Sequence, residues 1–432
     1  MPRLLRQAIA TAVLLLVLAG AGVLLLRSTG APVAIGPSPT PTPPITASAS
    51  APSPSQAAQP SPTQRPRAVY RQIEADVRRL RGLPDAGLGP PELISREQLA
   101  IELERILDKD FPPAEAARDN RTLRALGLLT EEQDIRELTQ QLLSGQVLGF
   151  YDFDRRRMVI VSDAGLDAIA KVTYAHEYTH ALQDAAFDTG AGHRATEGED
   201  DAALARLCLE EGDATWLMSL WARDHLSLPE LLGLGQMPAP DTTGIPPWML
   251  RQLELPYVAG LSFVRILWSE SASFRRVDAA FRHPPSSTEQ ILHSDKYRSG
   301  EDPMPVAAPA LVAALERRSG DGWRVNEETT LGEALVAIWL EHLGVVRTAA
   351  DEAAAGWGGD RISVAFRGSD EWALAWRLAW DSEADATAFA EAYATARLSL
   401  NGPARLVRLS SRVTLVVQAS SADVLEAAAT AR

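Results

Sequence analysis

The chain has 432 residues, of which 46% are hydrophobic and 23% are charged, a balance that excludes a wholly disordered or collagen-like protein. Acidic residues outnumber basic ones by 56 to 42, and the resulting net charge of -14 argues against nucleic acid as a partner. The only cysteine, Cys208, excludes an internal disulfide framework and a cysteine-rich zinc site.

Residues 1–27 predict a membrane segment. Residues 8–26 contain no charged side chain, while Arg3 and Arg6 precede them and Arg27 follows. A helix of this length spans about 28 Å, close to the hydrocarbon thickness of a bilayer. The flanking charges favour a single-pass anchor in the cell membrane, with the N-terminus in the cytoplasm and the body outside. The alternative is a signal peptide that is cleaved, so that the body is secreted.

Residues 28–67 predict a disordered linker. Residues 31–67 contain 11 prolines and no acidic side chain. Such a segment cannot bury enough apolar surface to offset its chain entropy, and its prolines favour an extended conformation. We expect it to hold the following domain away from the membrane surface.

Residues 68–304 form the predicted main domain, which is mostly helical. Apolar spacing predicts helices at residues 70–81, at 96–107 after the cap Ser95, and at 130–143. Two short apolar segments, 150–151 and 157–162, flank a polar turn and predict a β-hairpin. Further helices are predicted at 165–185, at 200–226, and from a capping box at Ser286 to residue 293.

Residues 305–432 predict a smaller C-terminal α+β domain without recognisable chemistry, separated from the main domain by a Pro-rich stretch at 299–309. Helices are expected at 330–343, at 382–397 and at the C-terminal end, and strands at 362–366, 373–380, 404–409 and 412–418. Four of its tryptophans are expected to pack the core of this domain: Trp357, Trp372, Trp376 and Trp380. The predicted fold class of the whole body is therefore α+β.

An H-E-x-x-H motif, His176 to His180, lies inside the predicted helix 165–185. Residues i and i+4 of a helix share a face, so His176 and His180 can present ring nitrogens to one metal ion. Glu177 is displaced from this pair, which suits a base that acts on a metal-bound water. Two alternatives remain: histidines that only satisfy hydrogen bonds in the core, and a structural metal site that has no need of Glu177.

A hydrolytic zinc site needs a third protein ligand. No histidine follows at the metzincin spacing, and His193 lies in a Gly-rich segment that is predicted to be a loop. The helix 200–226 offers Glu210 and Glu211, which point about 100° apart, so at most one can face the metal. Gly212 costs about 1 kcal/mol relative to alanine in a helix, and a close approach of two helices at the metal would explain it.

These motifs resemble those of the gluzincin clan of zinc metallopeptidases, in which H-E-x-x-H on one helix is completed by a glutamate on the next. The segment from Glu211 to Ala214 is similar to the N-E-G-x-A motif of the thermolysin-like aminopeptidases, with Glu210 in place of the asparagine. The resemblance implies Glu211 as the third zinc ligand and leaves Glu210 as the alternative. The aminopeptidases' G-x-M-E-N motif is absent, so their activity is not implied. A wider set of segments resembles a poorly characterised group of exported bacterial proteins classed as metallopeptidases: 149–152, 175–177, 180–184, 211–214, 285–293 and 356–361.

The resemblance implies a zincin-like core and an exported zinc peptidase that cleaves a peptide or protein substrate with Glu177 as the catalytic base. Tyr257 and His293 are candidates for stabilising the transition state, and Asp184 and Asp213 for orienting the ligand histidines.

An extended substrate is expected to pair with the strand at residues 158–161, although an ordinary sheet strand fits the same pattern. The alternative hypothesis is a non-catalytic envelope module with a structural metal site that binds a partner through its C-terminal domain. Hydrolysis of a non-peptide ester or amide also remains open, and the physiological substrate is not predicted.

Overall fold

The computed structural model describes residues 64–147, 149–161, 167–196, 198–236 and 241–431. The predicted membrane segment and most of the predicted linker lie outside these residues. Among the residues that the structure describes, none of the helices combines the length and the hydropathy that crossing a bilayer requires. The described body is α+β, as predicted, with many helices and two small sheets.

The N-terminal part is mostly helical. Its helices are α1 (Gln64–Arg81), α2 (Arg96–Asp110), α3 (Pro113–Ala125), α4 (Ile135–Gln146), α5 (Ala168–Phe187), α6 (Thr189–Ala195), α7 (Asp200–His225), α8 (Leu228–Leu234), α9 (Pro247–Ser269), α10 (Arg275–Arg282), α11 (Thr288–Leu292) and α12 (Ser294–Ser299). The two helices that carry the predicted metal ligands, α5 and α7, are confirmed to within a few residues. The sequence analysis missed α3 and α9, and α9 contains the helix-breaking residue Pro256.

Two predicted helix starts are wrong. Helix α4 begins at Ile135 and not at residue 130, because the Asp134 side chain accepts hydrogen bonds from the amides of Arg136 and Glu137. Helix α11 is capped by Ser287, one residue after the predicted cap. The predicted cap Ser95 is confirmed, since its hydroxyl accepts from the Gln98 amide in a capping box.

The small sheet has the strand order β1-β3-β2, with β1 (Glu92–Ile94), β2 (Gly149–Asp152) and β3 (Arg157–Val161). The predicted hairpin is confirmed as the antiparallel pair of β2 and β3. Strand β3 also pairs in parallel with β1, so it is central and both of its edges are occupied. The prediction that a substrate pairs with β3 is therefore wrong.

The C-terminal part, in the residues that the structure describes, contains a five-stranded antiparallel sheet and five helices. Its elements are α13 (Leu311–Ser319), β4 (Arg324–Thr329), α14 (Gly332–His342), α15 (Arg347–Ala354), β5 (Trp357–Arg367), β6 (Glu371–Trp380), α16 (Glu383–Ala396), β7 (Ala404–Arg408), β8 (Val413–Ala419) and α17 (Ala422–Ala428). The strand order is β4-β5-β6-β8-β7. Three helices cover one face and α13 and the last helix cover the other. Three of the four predicted core tryptophans, at 357, 376 and 380, are fully buried.

Helices α7 and α9 approach each other at two glycines. A Cβ atom at Gly212 would overlap the carbonyl group of Gly260, and a Cβ atom at Gly260 would overlap the carbonyl oxygen of Cys208. The expectation that Gly212 allows a close helix contact therefore holds, but the partner is α9 and not the helix with the histidines. This contact brings α9 alongside α7, which lies between α5 and α9.

We predict that Gly260→Ala lowers the free energy of unfolding by about 2 kcal/mol or more, because the added methyl group forces two helix backbones apart. Urea unfolding followed by circular dichroism measures the effect. Gly233→Ala is the matched control: it lies in α8, and a Cβ atom there meets nothing within 4 Å. We expect the control to be neutral or more stable by up to about 1 kcal/mol. Equal stability of Gly260→Ala and the wild type would contradict the packing argument.

Candidate functional site

The H-E-x-x-H motif lies in the middle of α5, in the part of this helix that is buried on all sides. The Asp167 side chain caps its first turn, and the helix ends at Asp188 in the left-handed conformation. Every residue from 172 to 183 is buried. His176 and His180 thus stand one turn apart inside the protein, where neither ring can be solvated.

Glu211 of α7 meets both histidines. Its Oε2 atom lies 3.1 Å from Nε2 of His176, its Oε1 atom lies 3.5 Å from Nε2 of His180, and the two Nε2 atoms are 3.0 Å apart. One ligand atom from each of the three residues falls within 4.8 Å of the others. In a tetrahedral site with metal–ligand bonds of about 2.0–2.1 Å, ligand atoms are about 3.3 Å apart, so these three residues could hold a metal ion. We call them the metal-ligand cluster.

Glu210 is turned away from the metal-ligand cluster. Its Oε2 atom lies 2.7 Å from Nε2 of His193. The loop predicted for His193 is wrong, because this residue lies in the short helix α6. The structure thus distinguishes the two glutamates that the sequence left as alternatives: Glu211 faces the histidines and Glu210 does not.

The chemistry of the donor atoms also suits a metal. Oε1 of Glu211 is buried and makes no hydrogen bond of good geometry, with Nε2 of His180 3.5 Å away. A metal ion between these atoms would satisfy it better than this long contact does. Two imidazoles and one carboxylate are the protein ligands of many catalytic zinc sites. The same set also binds other first-row divalent metals, so the residues alone do not identify zinc.

Gln183 fixes the orientation of His180. The Gln183 amide nitrogen donates to the backbone carbonyl of Glu210 and to Asp213, each at 2.9 Å. Its oxygen therefore faces Nδ1 of His180, 3.0 Å away, so that Nδ1 carries the proton and Nε2 is left for a metal. Sequence reasoning missed Gln183, although its position three residues after His180 on the same helix is a usable signal.

Asp213 and Asp184, the two predicted orienting residues, have different positions. Asp213 reaches His180 only through Gln183, and it is held by buried Arg81, whose Nε atom lies 3.0 Å from its carboxylate. Asp184 instead accepts a hydrogen bond of 3.0 Å from the hydroxyl of Tyr151. No sequence pattern pointed to Arg81, which lies 132 positions before Asp213 in the chain.

Glu177 is buried beside the metal-ligand cluster. Its Oε2 atom accepts a hydrogen bond of 3.0 Å from the backbone amide of Tyr151 in β2. Burial raises the pKa of Glu177 to about 8, with an opposing contribution from His180 and a further increase from Glu211. A bound cation would favour the ionised form and lower this pKa.

The protonation of each residue in the metal-ligand cluster depends on burial and on the charges of the other two. Burial lowers the pKa of His176. Burial also disfavours the charged form of His180, but the neighbouring Glu211 carboxylate outweighs it and raises the pKa of His180 to about 10. Burial likewise opposes ionisation of Glu211, yet the two histidines keep its pKa below the usual value. Without a metal, the cluster therefore holds a proton on His180 opposite an ionised Glu211.

The two residues predicted to stabilise a transition state are separated by the fold. The ring of Tyr257, in α9, stacks near that of His176 with a centroid distance of 6.3 Å. His293 instead bonds to Glu333 at the start of α14, with a distance of 2.9 Å from Nε2 to Oε1. Tyr257 is thus a neighbour of the metal-ligand cluster, whereas His293 belongs to the junction with the C-terminal part.

Comparison with known proteins concerns the C-terminal part. Residues 322–429 match a family described as a domain of unknown function, DUF8575. This span contains the five-stranded sheet but neither α5 nor α7. No curated protein and no solved structure matches the chain.

We predict that Gln183→Met weakens zinc binding by about 10- to 100-fold, because His180 loses the partner that fixes its proton and its ring orientation. Competition with a chromophoric chelator measures the affinity, and circular dichroism verifies that the variant is folded. Gln72→Met is the matched control, since the Gln72 amide bonds to Asp76 in α1, away from the cluster. Unchanged affinity in Gln183→Met would show that this hydrogen bond has no role in the site.

We predict that zinc raises the thermal midpoint of unfolding, with a stabilisation of about 2.7 kcal/mol at a free concentration of 100 times Kd. The apparent affinity should increase between pH 6 and 8, because zinc must displace the proton that the raised pKa keeps on His180. Calorimetric titration in buffers of different ionisation enthalpy counts the released protons. Glu211→Gln should abolish the midpoint shift, and a pH-independent affinity would contradict the charge assignment.

Proposed function

We propose that the protein is a zinc-dependent peptidase. The observation that carries the proposal is the position of Glu177, a buried carboxylate next to a His-His-Glu cluster. A site that only binds metal has no use for a second carboxylate, Glu177 beside Glu211, that raises the cost of burial. The zincin-like core suggested by the motifs belongs to this proposal.

Each residue of the site has a role in the proposed reaction. His176, His180 and Glu211 would hold a zinc ion, which when bound would supply the polarisation of the scissile carbonyl and the activation of a water molecule. Glu177 accepts the proton of the attacking water and returns it to the leaving nitrogen. Tyr257 is the candidate donor for the oxyanion, because its ring lies beside that of His176.

A peptide substrate is supported by β2. It is an edge strand of the small sheet, and the amide of its residue Tyr151 bonds to Glu177. An extended peptide could add to this edge and bring its scissile bond next to the base. This assigns to β2 the role that the sequence suggested for β3.

We also propose that the N-terminal segment anchors the protein in the cell membrane with the body outside the cytoplasm. The support is the uncharged stretch at residues 8–26 and its flanking arginines. The body after residue 67 carries a net charge of -19, which would keep it away from anionic lipid. Secretion after cleavage remains the alternative.

One observation favours the second candidate function, a non-catalytic envelope module with a structural metal. Each of His176, Glu177, His180 and Glu211 has at most 2% of its surface exposed. A structural site is closed, whereas a peptidase must open its site to substrate and water. The experiment below separates the two functions.

We predict that Glu177→Gln reduces the hydrolysis of an unfolded protein by about 10²- to 10⁴-fold while zinc content stays at one ion per chain, because only the base is lost. Release of fluorescent peptides from a quenched substrate measures the rate, and atomic absorption measures zinc. Glu97→Gln, an exposed change in α2, is the matched control. Stoichiometric zinc without hydrolysis by the wild type, or equal rates in both proteins, would favour the structural metal site.

A further inference from the structure

A cleft of about 520 Å³ lies between the N-terminal part and the C-terminal part, apart from the metal-ligand cluster. One face each of α9, α14 and α15 forms its walls, and the end of α11 closes one side. Its volume falls in the range of about 300–1,000 Å³ that is typical of small-molecule sites. We call it the junction cleft.

Small side chains explain why the junction cleft is hollow. Four alanines from the three helices line it, so the helix faces do not fill the space between them: Ala259, Ala334, Ala337 and Ala355. Larger apolar groups stand at its walls. Val258 is 65% exposed and Leu292 is 41% exposed, and both line the cleft. The lining therefore exposes apolar surface to solvent, and a ligand that covers it would be stabilised by the hydrophobic effect.

The charged groups of the junction cleft are unevenly paired. Arg251 is neutralised by ion pairs with Glu341 and Asp351. Within the described part of the chain, the side chains of Glu254, Glu352 and Arg347 make no hydrogen bond or ion pair; Glu254 is half-buried, and the other two are exposed.

Glu333, which also lines the cleft, adds to the excess of unpaired acidic groups. Buried Glu333 bonds to His293 through Oε1, while its Oε2 atom has no hydrogen-bond partner among the described residues. Among the groups that line the cleft, carboxylate oxygens without a protein partner therefore outnumber the single unpaired arginine, Arg347.

We propose that the junction cleft is a binding site for an organic cation, an ammonium or guanidinium group on an apolar body. The apolar body lies against the alanines and Val258. The cationic head meets Glu254 and Glu352, and Arg347 disfavours a second positive charge. A charged hydrogen bond to a carboxylate in such a partly buried cleft is stronger than a neutral one.

The junction cleft and the metal-ligand cluster lie on different sides of α9. Leu255 and Val258 line the cleft, whereas Tyr257, between them in sequence, stacks near His176. The cleft is therefore distinct from the proposed catalytic site, and binding there does not require the peptidase function. The cation can be a free amine or a basic side chain of a polypeptide.

Isothermal titration of the full-length protein with isopentylammonium tests the proposal. Isopentanol and 4-methylpentanoate serve as ligands with a similar apolar body and without the positive charge. We expect the ammonium compound to bind at least tenfold more tightly than either. Glu254→Gln and Glu352→Gln should each weaken its binding at least threefold, and Val258→Trp should abolish binding by filling the cleft. Glu391→Gln, an exposed change in α16, should have no effect.

The source of the cation is decided by a second titration with the peptide acetyl-Leu-Lys-amide. Tighter binding of the peptide than of isopentylammonium would support a basic side chain of a polypeptide, and weaker binding would support a free amine. Equal affinity for the ammonium, the alcohol and the carboxylate would overturn the proposal. So would unchanged binding in both glutamate variants.

Discussion

Three consecutive residues of helix α7 each contact a different part of the protein core. Successive residues of a helix point about 100° apart. Glu211 therefore faces the histidines of α5, Gly212 lies against α9, and Asp213 meets Gln183 and Arg81. At these positions the helix has no solvated side, so the charges of Glu211 and Asp213 need partners inside the protein. The arrangement of α1, α5 and α9 follows from these three contacts.

The sequence predicted the parts of the site that depend on local spacing. The histidine pair and the hairpin are short-range patterns, and the choice of Glu211 came from a motif resemblance that the geometry of the cluster supports. It did not predict Arg81, because two residues 132 positions apart leave no periodic signal. Helix α9 was missed for a related reason: Pro256 and Gly260 both disfavour a helix, and only its packing against α7 explains why one forms.

Buried ion pairs surround the candidate reaction centre and hold its side chains in place. Ionised Glu211 is balanced by His180, and Asp213 is balanced by Arg81, which also pairs with Asp278 at 2.6 Å. Such pairs add little to stability compared with apolar residues of the same size, and losing one partner costs several kcal/mol. Their value lies in holding the histidines in one orientation. The same geometry serves catalysis or a structural metal, and Glu177 is the residue that separates the two functions.

If the proposed N-terminal anchor is correct, the position of Arg81 decides where the chain could be cut without disturbing the metal-ligand cluster. Helix α1 is the first described element after the Pro-rich segment, and Arg81 is its last residue. A proteolytic cut before residue 64 would release a body that keeps the counter-ion of Asp213. A cut between α1 and α2 would remove that counter-ion together with the helix and leave a buried carboxylate uncompensated. The first cut would therefore leave the metal-ligand cluster and its surroundings intact, whereas the second would disturb them.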